Sequence, residues 1–399
     1  MTRLDVFTPL PPSGSGIARY SAELLPALAA DYAITAVIAD DAPSPAPLPD
    51  SIRVARAGAA RATLPRPHAT IYQLGNSPEH AYIAAHAEQE PGICILHDVA
   101  LPHLQLWRAL HGGADATRAY SAEMALRYGT IGQRAAADLL HNRQSPVPYA
   151  DIPLCERIVE RSLLTVVHSA YARAAVLRHC PGVAVQIVPH GVPLLPEGDR
   201  AQARATLGLP QGAVIVAALG NLIPEKRLER ALGAFARALY HLPEAVFVVA
   251  GASTPHYDPR PLARHAGLEP VTRWLGRVGD ETFQQLLVAA DLCVNLRWPT
   301  GGETSGSLLR MLAAGRLTLV SDAGSFVEVP EDACVKVPLG DDEEATIVRA
   351  IICAGREPAW AATLGARARA FIAREHSFAR AASGYRDAIA RATPPASNR

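Results

Sequence analysis

The sequence predicts an α/β protein built from two doubly wound parallel sheets, each covered by helices. Short and nearly continuous apolar runs recur along its 399 residues, and stretches of helical periodicity separate them. Runs of this kind are typical of strands that are buried on both faces of a parallel sheet. The runs form two sets of six, and the chain is long enough for two domains of ordinary size.

The two sets of predicted strands divide the chain near its middle. The first set is LDVFTPL, AITAVIA, ATIYQL, GICILH, LLTVVHS and VQIVPH, and the second is AVIVAALG, AVFVVAG, VTRWLG, DLCVNL, LTLVSD and CVKVPL. The segment of residues 193–212 between them is rich in proline, glycine and charge and lacks a strand pattern. We therefore predict a first domain over residues 1–193 and a second domain from residue 194.

The stretch from Leu101 to Arg161 has a mainly helical pattern and is long for a crossover between strands. We expect extra helices there that could shape an acceptor pocket. The stretch from Arg53 to Arg66 carries arginine as its only cation. Contact with an anionic acceptor or a lipid surface is one interpretation of that stretch, and a solvated loop is the other.

Composition argues against several classes of function. Acidic and basic residues balance at 38 each, which leaves no net positive charge to attract nucleic acid. No apolar run reaches the roughly 18 residues that cross a bilayer, and no signal segment is recognisable, so we expect a soluble, cytoplasmic protein. The six cysteines are scattered singly, without the spacing of a metal site. We therefore expect reduced cysteines and no bound metal.

A glycine loop follows the first predicted strand. Gly14 and Gly16 lie in the turn TPLPPSGSG, and an apolar stripe of helical spacing comes next. Glycines let backbone amides approach a ligand closely, and a helix N-terminus favours an anion or a hydroxyl group. Arg19 stands where a dinucleotide-binding fingerprint has its third glycine, so a nicotinamide-dependent enzyme is disfavoured. A plain tight turn is the structural alternative.

Two further stretches place polar side chains after predicted strands. LHDVALPH puts His97 and Asp98 at the carboxyl end of the fourth strand, where doubly wound sheets bind ligands. For His103, His111 and His190, we expect structural roles. ALGNLIPEKRLERAL puts Lys226, one of only two lysines, in a turn at the start of a helix. A cation there is unfavourable for the helix, which suggests a bound anion, while a solvated surface charge is the alternative.

The stretch LRWPTGGETSGSLLRMLAAG combines a glycine loop with a helix start. Two glycines precede Glu303, and the hydroxyl residues Thr304, Ser305 and Ser307 mark the helix N-terminus. Hydroxyl caps followed by free amides can seat a phosphate. Glu303 would then accept sugar hydroxyls beside the diphosphate, and helix capping is the alternative role for it.

Together these stretches resemble the retaining glycosyltransferases of family 4. Six of them appear in the order and spacing of that family: GSGIARYSAELLPAL, VPHGV, GNLIPEKRLERAL, WLGRVGDETFQQLLVAADLCVNL, GETSGSLLRMLAAG and LVSDAG. The resemblance implies the GT-B architecture, in which two Rossmann-like domains face a shared donor cleft. It also implies a second domain over residues 194–375 and a C-terminal helix within residues 376–399 that packs back on the first domain.

The resemblance implies roles for individual residues. His97 and Glu303 match residues that contact the transferred sugar, and Lys226 matches the lysine that binds the donor diphosphate; these three are the predicted catalytic residues. Val278 falls where backbone contacts hold the base. The other predicted donor-binding residues are Gly14, Gly16, Asn221, Thr304, Ser305, Gly306 and Arg310.

Two of these positions depart from the pattern of the family. Asn221 stands where the family usually has an arginine that partners the lysine, and Arg310 aligns with the second glutamate of a pair. One hypothesis is that Arg310 replaces the missing cation at the phosphate seat. The alternative is an ordinary salt bridge within its own domain.

The resemblance implies a metal-independent transfer of a sugar from a nucleoside-diphosphate sugar, with retention of anomeric configuration and without a cofactor. The acceptor, a glycan, lipid or small molecule, is not indicated, and neither are the donor base and sugar. The two departures keep open a catalytically degenerate protein that only binds sugar nucleotides. A sugar-nucleotide epimerase on the same architecture is a further alternative.

Overall fold

The protein is described from a computed structural model that covers residues 2–59, 67–143, 145, 147–148, 150–195, 198–254 and 257–393. Its residues form two compact units. The first unit comprises Met1–Gly191, Gly301–Thr304 and Phe378–Arg399, and the second comprises Val192–Thr300 and Ser305–Ser377. The main changes between units fall at residues 191 and 377, and the predicted boundaries are 193 and 375.

The first unit contains a parallel sheet of seven strands in the order β3-β2-β1-β4-β5-β6-β7. Every neighbouring pair is parallel, which requires a crossover segment between consecutive strands. The strands are β1 (Thr2–Phe7), β2 (Tyr32–Ile38), β3 (Ile52–Arg56), β4 (Ala69–Leu74), β5 (Ile93–Leu96), β6 (Leu164–Val167) and β7 (Val185–Ile187). The helices along this part of the chain are α1 (Gly16–Leu28), α2 (Ala81–Ala87), α3 (Pro102–His111), α4 (Gly113–Leu140), α5 (Glu156–Arg161) and α6 (Ala170–His179).

The prediction of six strands in the first sheet was wrong, because β3 is a seventh. Its sequence IRVAR alternates charge with small apolar residues, and most of it is exposed. It lies at the edge of the sheet, where one side of the strand has no neighbour, so it lacks the apolar run of a central strand. The arginine stretch from Arg53 to Arg66, interpreted either as contact with an anionic partner or as a solvated loop, begins in β3, and its residues 60–66 lie outside the described part of the chain.

The mainly helical pattern predicted for residues 101–161 is confirmed by α3, α4 and α5. The long helix α4 is interrupted at Gly129, where φ is 58° and ψ is −139°. A positive φ suits glycine because it has no Cβ to collide with the backbone. The interruption divides α4 into two helical segments.

The second unit contains a parallel sheet of six strands, the number that the sequence predicts. Their order is β10-β9-β8-β11-β12-β13. The strands are β8 (Ile215–Leu219), β9 (Val246–Ala250), β10 (Thr272–Gly276), β11 (Leu292–Asn295), β12 (Leu317–Ser321) and β13 (Val335–Val337). The helices are α7 (Arg200–Thr206), α8 (Leu228–Ala238), α9 (Arg260–His265), α10 (Asp280–Ala289), α11 (Gly306–Ala313), α12 (Asp342–Arg356) and α13 (Pro358–Glu375). The predicted fold class, α/β with two doubly wound parallel sheets, is confirmed.

The last helix, α14 (Phe378–Ala392), belongs to the first unit. Its buried face joins the core formed by α1 and the first sheet, and the hydroxyl groups of Tyr385 and Tyr20 lie 3.2 Å apart. Within the described residues, α14 thus packs on the first unit as the family resemblance implies. Residues 394–399 of the predicted C-terminal segment lie outside the described part of the chain.

The strand order fixes where ligands are expected in each unit. In an open parallel sheet, the crevice lies beyond the carboxyl ends of the strands at the point where the order reverses. That point falls between β1 and β4 in the first sheet and between β8 and β11 in the second. The loops after these strands therefore position the candidate site.

None of the helices in the described part of the chain is both long and apolar enough to cross a membrane.

Candidate active site

The predicted glycine loop lies between β1 and α1. Ser15 caps α1, and its hydroxyl oxygen accepts a hydrogen bond from the amide of Ile17 at 3.2 Å. Gly14 and Gly16 are both exposed in this turn. A Cβ placed on Gly16 would meet no atom of the described chain within 4 Å. Protein packing therefore does not require a glycine at position 16, and space for a ligand remains above the helix N-terminus.

His97 follows β5 directly, as predicted, but its ring is buried in a chain of side chains. Its Nε2 lies 2.6 Å from Oε1 of Gln73, and its Nδ1 lies 3.2 Å from Nε2 of His168. The Nδ1 of His168 lies 2.8 Å from the carbonyl oxygen of Val188. Both ring nitrogens of His97 thus face protein groups.

The protons of this chain can be assigned from its ends. The Val188 carbonyl only accepts, so Nδ1 of His168 donates to it and Nε2 accepts from Nδ1–H of His97. Burial, with smaller contributions from His168 and other histidines, lowers the pKa of His97 well below its usual value, so the ring is neutral. The Nε2 of His97 is then an acceptor, and we assign the amide NH₂ group of Gln73 to face it.

A short segment from residue 301 to 304 belongs to the first unit. The carbonyl oxygen of Gly301 accepts hydrogen bonds from the amides of Val99 and Ala100 at 3.0 and 2.9 Å. Gly302 has a φ of 82°, and a Cβ there would lie 2.8 Å from a methyl group of Val99. Both conformation and close approach therefore require a glycine at position 302.

Glu303 closes this segment onto itself. Its Oε2 accepts a hydrogen bond from the amide of Gly301 at 2.7 Å, so the carboxylate orients the loop. Thr304 is half-buried and is the last residue of the segment. This contact with the Gly301 amide supports the alternative of a structural role for Glu303. That role is closure of the loop and not helix capping.

In the second unit, Lys226 lies at the strand-order reversal between β8 and β11. It ends a single 3-10 turn, Pro224–Lys226, and Arg227 separates that turn from α8 with a left-handed φ of 50°. Lys226 therefore lies in a turn just before a helix, as the sequence predicts. The neighbouring cation, Arg227, has a structural role, because its guanidinium group pairs with the buried carboxylate of Glu343.

The ammonium group of Lys226 points back to the end of β8. Its Nζ donates to the carbonyl oxygen of Leu219 at 3.3 Å. A Cβ built on Gly220 would lie 2.5 Å from this Nζ and 3.7 Å from Oγ of Ser307. The Lys226 Nζ and the Ser307 Oγ are therefore no more than about 6 Å apart. The Lys226 ammonium group and the N-terminus of α11 therefore lie close together beside Gly220.

The electrostatics of Lys226 are those of an unneutralised cation. Burial, with the positive charge of Arg297 nearby, lowers the pKa of Lys226 from 10.5 to about 7. Arg297 follows β11, and the amide of the next residue, Trp298, donates to the carbonyl oxygen of Glu225 at 2.7 Å. This bond holds the two cationic residues beside each other. An anion between them would be favourable for both.

The predicted helix N-terminus at residue 305 is confirmed. Ser305 caps α11, and its hydroxyl accepts from the amide of Leu308 at 3.2 Å. Ser307 lies 3.0 Å from the Ser305 hydroxyl, and its Oγ accepts from Nδ2 of Asn295 at 3.2 Å. Gly306 is the first residue of the helix. The hydroxyl-rich helix start is thus tied to the end of β11.

The other predicted donor-binding residues lie at different depths in the second unit. Asn221 is exposed directly after Gly220. Val278 is half-buried in the loop between β10 and α10, where it packs on the core. Arg310 is buried in α11, with 7% of its surface exposed.

The sequence analysis missed three residues that the structure brings to these positions. Gln73 and His168 engage His97, and Arg297 stands beside Lys226. The positions of Arg297 and His168 near strand ends were readable, since Arg297 lies within LRWPTGG and His168 is the penultimate residue of LLTVVHS. Their adjacency to His97 and Lys226 depends on strand order, which sequence spacing does not give.

Comparison with known proteins relates this chain to glycosyltransferases. Residues 213–354, which lie in the second unit apart from Gly301–Thr304, match the family described as Glycosyl transferases group 1. The D-inositol 3-phosphate glycosyltransferase of Streptomyces scabiei is 26% identical over 306 residues, which cover 73% of this chain and 67% of that protein. The enzyme of the same name from Streptomyces avermitilis is 27% identical over 301 residues, 72% of this chain and 63% of that protein.

Solved structures share the whole fold. The sucrose-phosphate synthase of Thermosynechococcus elongatus gives a TM-score of 0.72 at 17% identity, over 98% of this chain and 100% of that chain. The Anabaena protein HepE in complex with UDP-glucose gives a TM-score of 0.65 at 14% identity, over 97% of this chain and 99% of that chain. At these identities the likeness shows the fold.

The chain has the fold of the GT-B glycosyltransferases. Its second unit carries a glycosyl transferases group 1 domain, over residues 213–354, and the resemblance predicted from sequence is confirmed at that level.

Proposed function

We propose that this protein transfers a sugar from a nucleoside-diphosphate sugar to an acceptor, with retention of anomeric configuration and without a metal ion. The observation that carries the proposal is the convergence of the Lys226 ammonium and the N-terminus of α11 at the strand-order reversal of the second sheet. A leaving diphosphate gains negative charge as the sugar–phosphate bond breaks. Fixed positive groups at that place stabilise the transition state more than the ground state.

Arg297 supplies the second cation in this proposal. Asn221 carries no charge where the family usually has an arginine, and Arg297 reaches the neighbourhood of Lys226 from β11 instead. An arginine presents two donors to one phosphate, whereas a lysine acts as a point charge. The hypothesis that Arg310 fills this role stays open, because Arg310 lies on the same helix as the phosphate seat.

The sugar-contacting roles of His97 and Glu303 are part of the proposal. A sugar hydroxyl could replace the Gln73 amide at Nε2 of His97, since both groups donate to a neutral imidazole. The second oxygen of Glu303 can accept from a sugar while Oε2 holds the loop. Gly14 and Gly16 would admit a ligand to the N-terminus of α1, and Val278 would contact the base.

UDP is the first nucleotide to test, because the HepE structures contain UDP, UDP and glucose, or UDP-glucose. A thermal-shift series with UDP, GDP and ADP should raise the melting temperature with at least one of them, since a ligand of the folded state stabilises it. Failure of all three to bind would contradict the proposal. Donor consumption without acceptor, with release of an isomeric nucleotide sugar, would instead identify an epimerase.

Transfer itself is tested by incubating the protein with the matching sugar nucleotides and an acceptor panel in EDTA. The expected product keeps the anomeric configuration of the donor, which the ¹H coupling constant of the anomeric proton reports. Inversion, or loss of turnover that Mg²⁺ restores, would contradict the proposed mechanism. Nucleotide binding without turnover would favour a catalytically degenerate binding protein.

A further inference from the structure

A cavity of about 420 Å³ lies in the first unit among α3, α4 and α5. Glu88, which lines it, follows α2 shortly before β5 begins. Nη1 of Arg108, in the second half of α3, donates to Oε1 of Glu88 at 2.6 Å. The cavity is therefore placed toward the amino end of β5. His97 follows the carboxyl end of that strand, so the cavity is separate from the candidate site.

Two buried polar groups line this cavity without a partner. Glu156 is only 2% exposed, and its Oε1 accepts a hydrogen bond from the Tyr128 hydroxyl at 2.5 Å. Its Oε2 has no hydrogen-bond partner among the described residues, and neither has the hydroxyl of Tyr120, which is 7% exposed. Leaving buried polar groups unpaired is costly, so such groups indicate a missing ligand or water.

The remaining acidic side chains of the cavity are neutralised by protein cations. Glu88 accepts two hydrogen bonds from Arg108, and Glu123 pairs with Arg127. For Glu156, Nδ1 of His179 lies 3.8 Å from Oε1, the oxygen that Tyr128 already engages. Its Oε2 is therefore the acceptor that the cavity offers to a ligand.

An aromatic surface and small side chains complete the cavity. Trp107 stacks on His111 with ring centroids 4.4 Å apart and an interplanar angle of 16°. Alanine and glycine residues at positions 109, 112, 116 and 119 leave the space open. A flat apolar ring beside buried hydrogen-bonding groups suits a ligand that has both apolar faces and polar edges.

We propose that this cavity binds a polyhydroxylated ring, a sugar or a cyclitol, at a site separate from the nucleotide. Hydroxyl groups of the ring donate to Oε2 of Glu156 and accept from the Tyr120 hydroxyl, so one ligand satisfies both orphaned groups. An anion would be repelled by Glu156, and a cation would leave the Tyr120 donor unpaired. The C–H face of the ring packs on Trp107.

Saturation-transfer-difference NMR with glucose, maltose and myo-inositol tests the proposal on the full chain. At least one of these probes should receive saturation from the wild-type protein, and excess UDP should not displace it. Glu156→Gln and Tyr120→Phe should each weaken the binding of that probe, by about tenfold for Glu156→Gln because a charge-assisted acceptor is lost. Glu244→Gln and Tyr240→Phe, at exposed positions in the second unit, serve as matched controls.

Tryptophan fluorescence locates the bound probe. Binding should change the emission of the wild-type protein, and Trp107→Phe should remove that change while leaving the other three tryptophans in place. Absence of saturation transfer to all three probes would overturn the proposal, as would equal affinity in the wild type and both cavity variants. Equally tight binding of cyclohexanol would also overturn it, since that result would make the cavity simply apolar.

Discussion

At the scale of single residues, the placement of two cations side by side says most about the site. Lys226 and Arg297 follow neighbouring strands, and the positive charge of Arg297 disfavours the charged form of Lys226. A protein gains nothing from this arrangement when the site is empty. A bound anion attracts the charged form of Lys226 and so offsets the repulsion from Arg297. We therefore expect nucleotide affinity to depend on the protonation of Lys226.

The pH dependence of UDP binding follows from the lowered pKa of Lys226. In the free protein the ammonium group loses its proton as pH rises through about 7, and a bound diphosphate raises that pKa. The affinity of UDP should therefore fall between pH 7 and pH 9, by up to about tenfold for each pH unit. Isothermal titration calorimetry in that range measures it. Lys226→Met should bind UDP more weakly and without this slope; a slope that survives the substitution would exclude Lys226 as its origin.

Substitution of the two candidate arginines separates their roles. Arg297→Gln removes a neighbouring charge, so the pH at which UDP affinity falls should move upward, while affinity at pH 7 falls by about 1.5–3 kcal/mol. Arg310→Gln should leave that midpoint in place. If Arg310 contacts the diphosphate, its substitution weakens the binding of UDP and leaves the binding of uridine unchanged. Unchanged UDP affinity in folded Arg297→Gln would refute the role proposed for Arg297.

His97 and Glu303 should affect transfer more than nucleotide binding, because free UDP lacks the sugar. His97→Asn and Glu303→Gln are each expected to lower the rate of transfer with little change in the Kd of UDP. His168→Gln disturbs His97 only through its Nδ1 contact and should give a smaller loss of rate. Losses of UDP affinity as large as the losses of transfer rate in His97→Asn and Glu303→Gln would contradict the sugar-contacting roles proposed for these residues.

At the scale of elements, the sequence predicted buried strands well and adjacency poorly. All six strands of the second sheet were predicted from short apolar runs, although Arg273 interrupts β10 and Lys336 interrupts β13. The edge strand β3 was missed because its exposed side chains carry charge. Arg297 was missed for a different reason: β8 and β11 are distant in sequence, and only their pairing in the sheet brings Lys226 and Arg297 together.

The terminal helix α14 provides an element whose contribution to stability can be measured. Tyr385 is completely buried between α14 and α1, and its hydroxyl lies 3.2 Å from that of Tyr20. Tyr385→Phe removes only the hydroxyl contact and should cost about 1 kcal/mol. Tyr385→Ala also leaves a cavity and should cost about 3–5 kcal/mol in the free energy of unfolding. Urea denaturation compares them, and equal stability of both variants with wild type would show that α14 is not docked.

At the scale of the whole molecule, the two units carry different halves of the chemistry. The second unit contains the lysine, the second cation and the capped helix expected to hold a diphosphate. The first unit contains the glycine loop, His97 and the Glu303 segment expected to meet the sugar. The family match covers residues 213–354, which include Lys226, Arg297 and Glu303 but neither the glycine loop nor His97.

The rate of transfer in Lys226→Met, relative to wild type with the same donor and acceptor, tests whether Lys226 stabilises the leaving diphosphate. Lys336→Met is the matched control, since Lys336 is the other lysine of the chain and donates to a backbone carbonyl oxygen in the same unit. We predict that Lys226→Met loses about 2–4 kcal/mol of transition-state stabilisation, a fall in rate of about 30- to 1000-fold, while folded Lys336→Met keeps its activity. A Lys226→Met enzyme that works within a factor of about two of wild type would contradict the account.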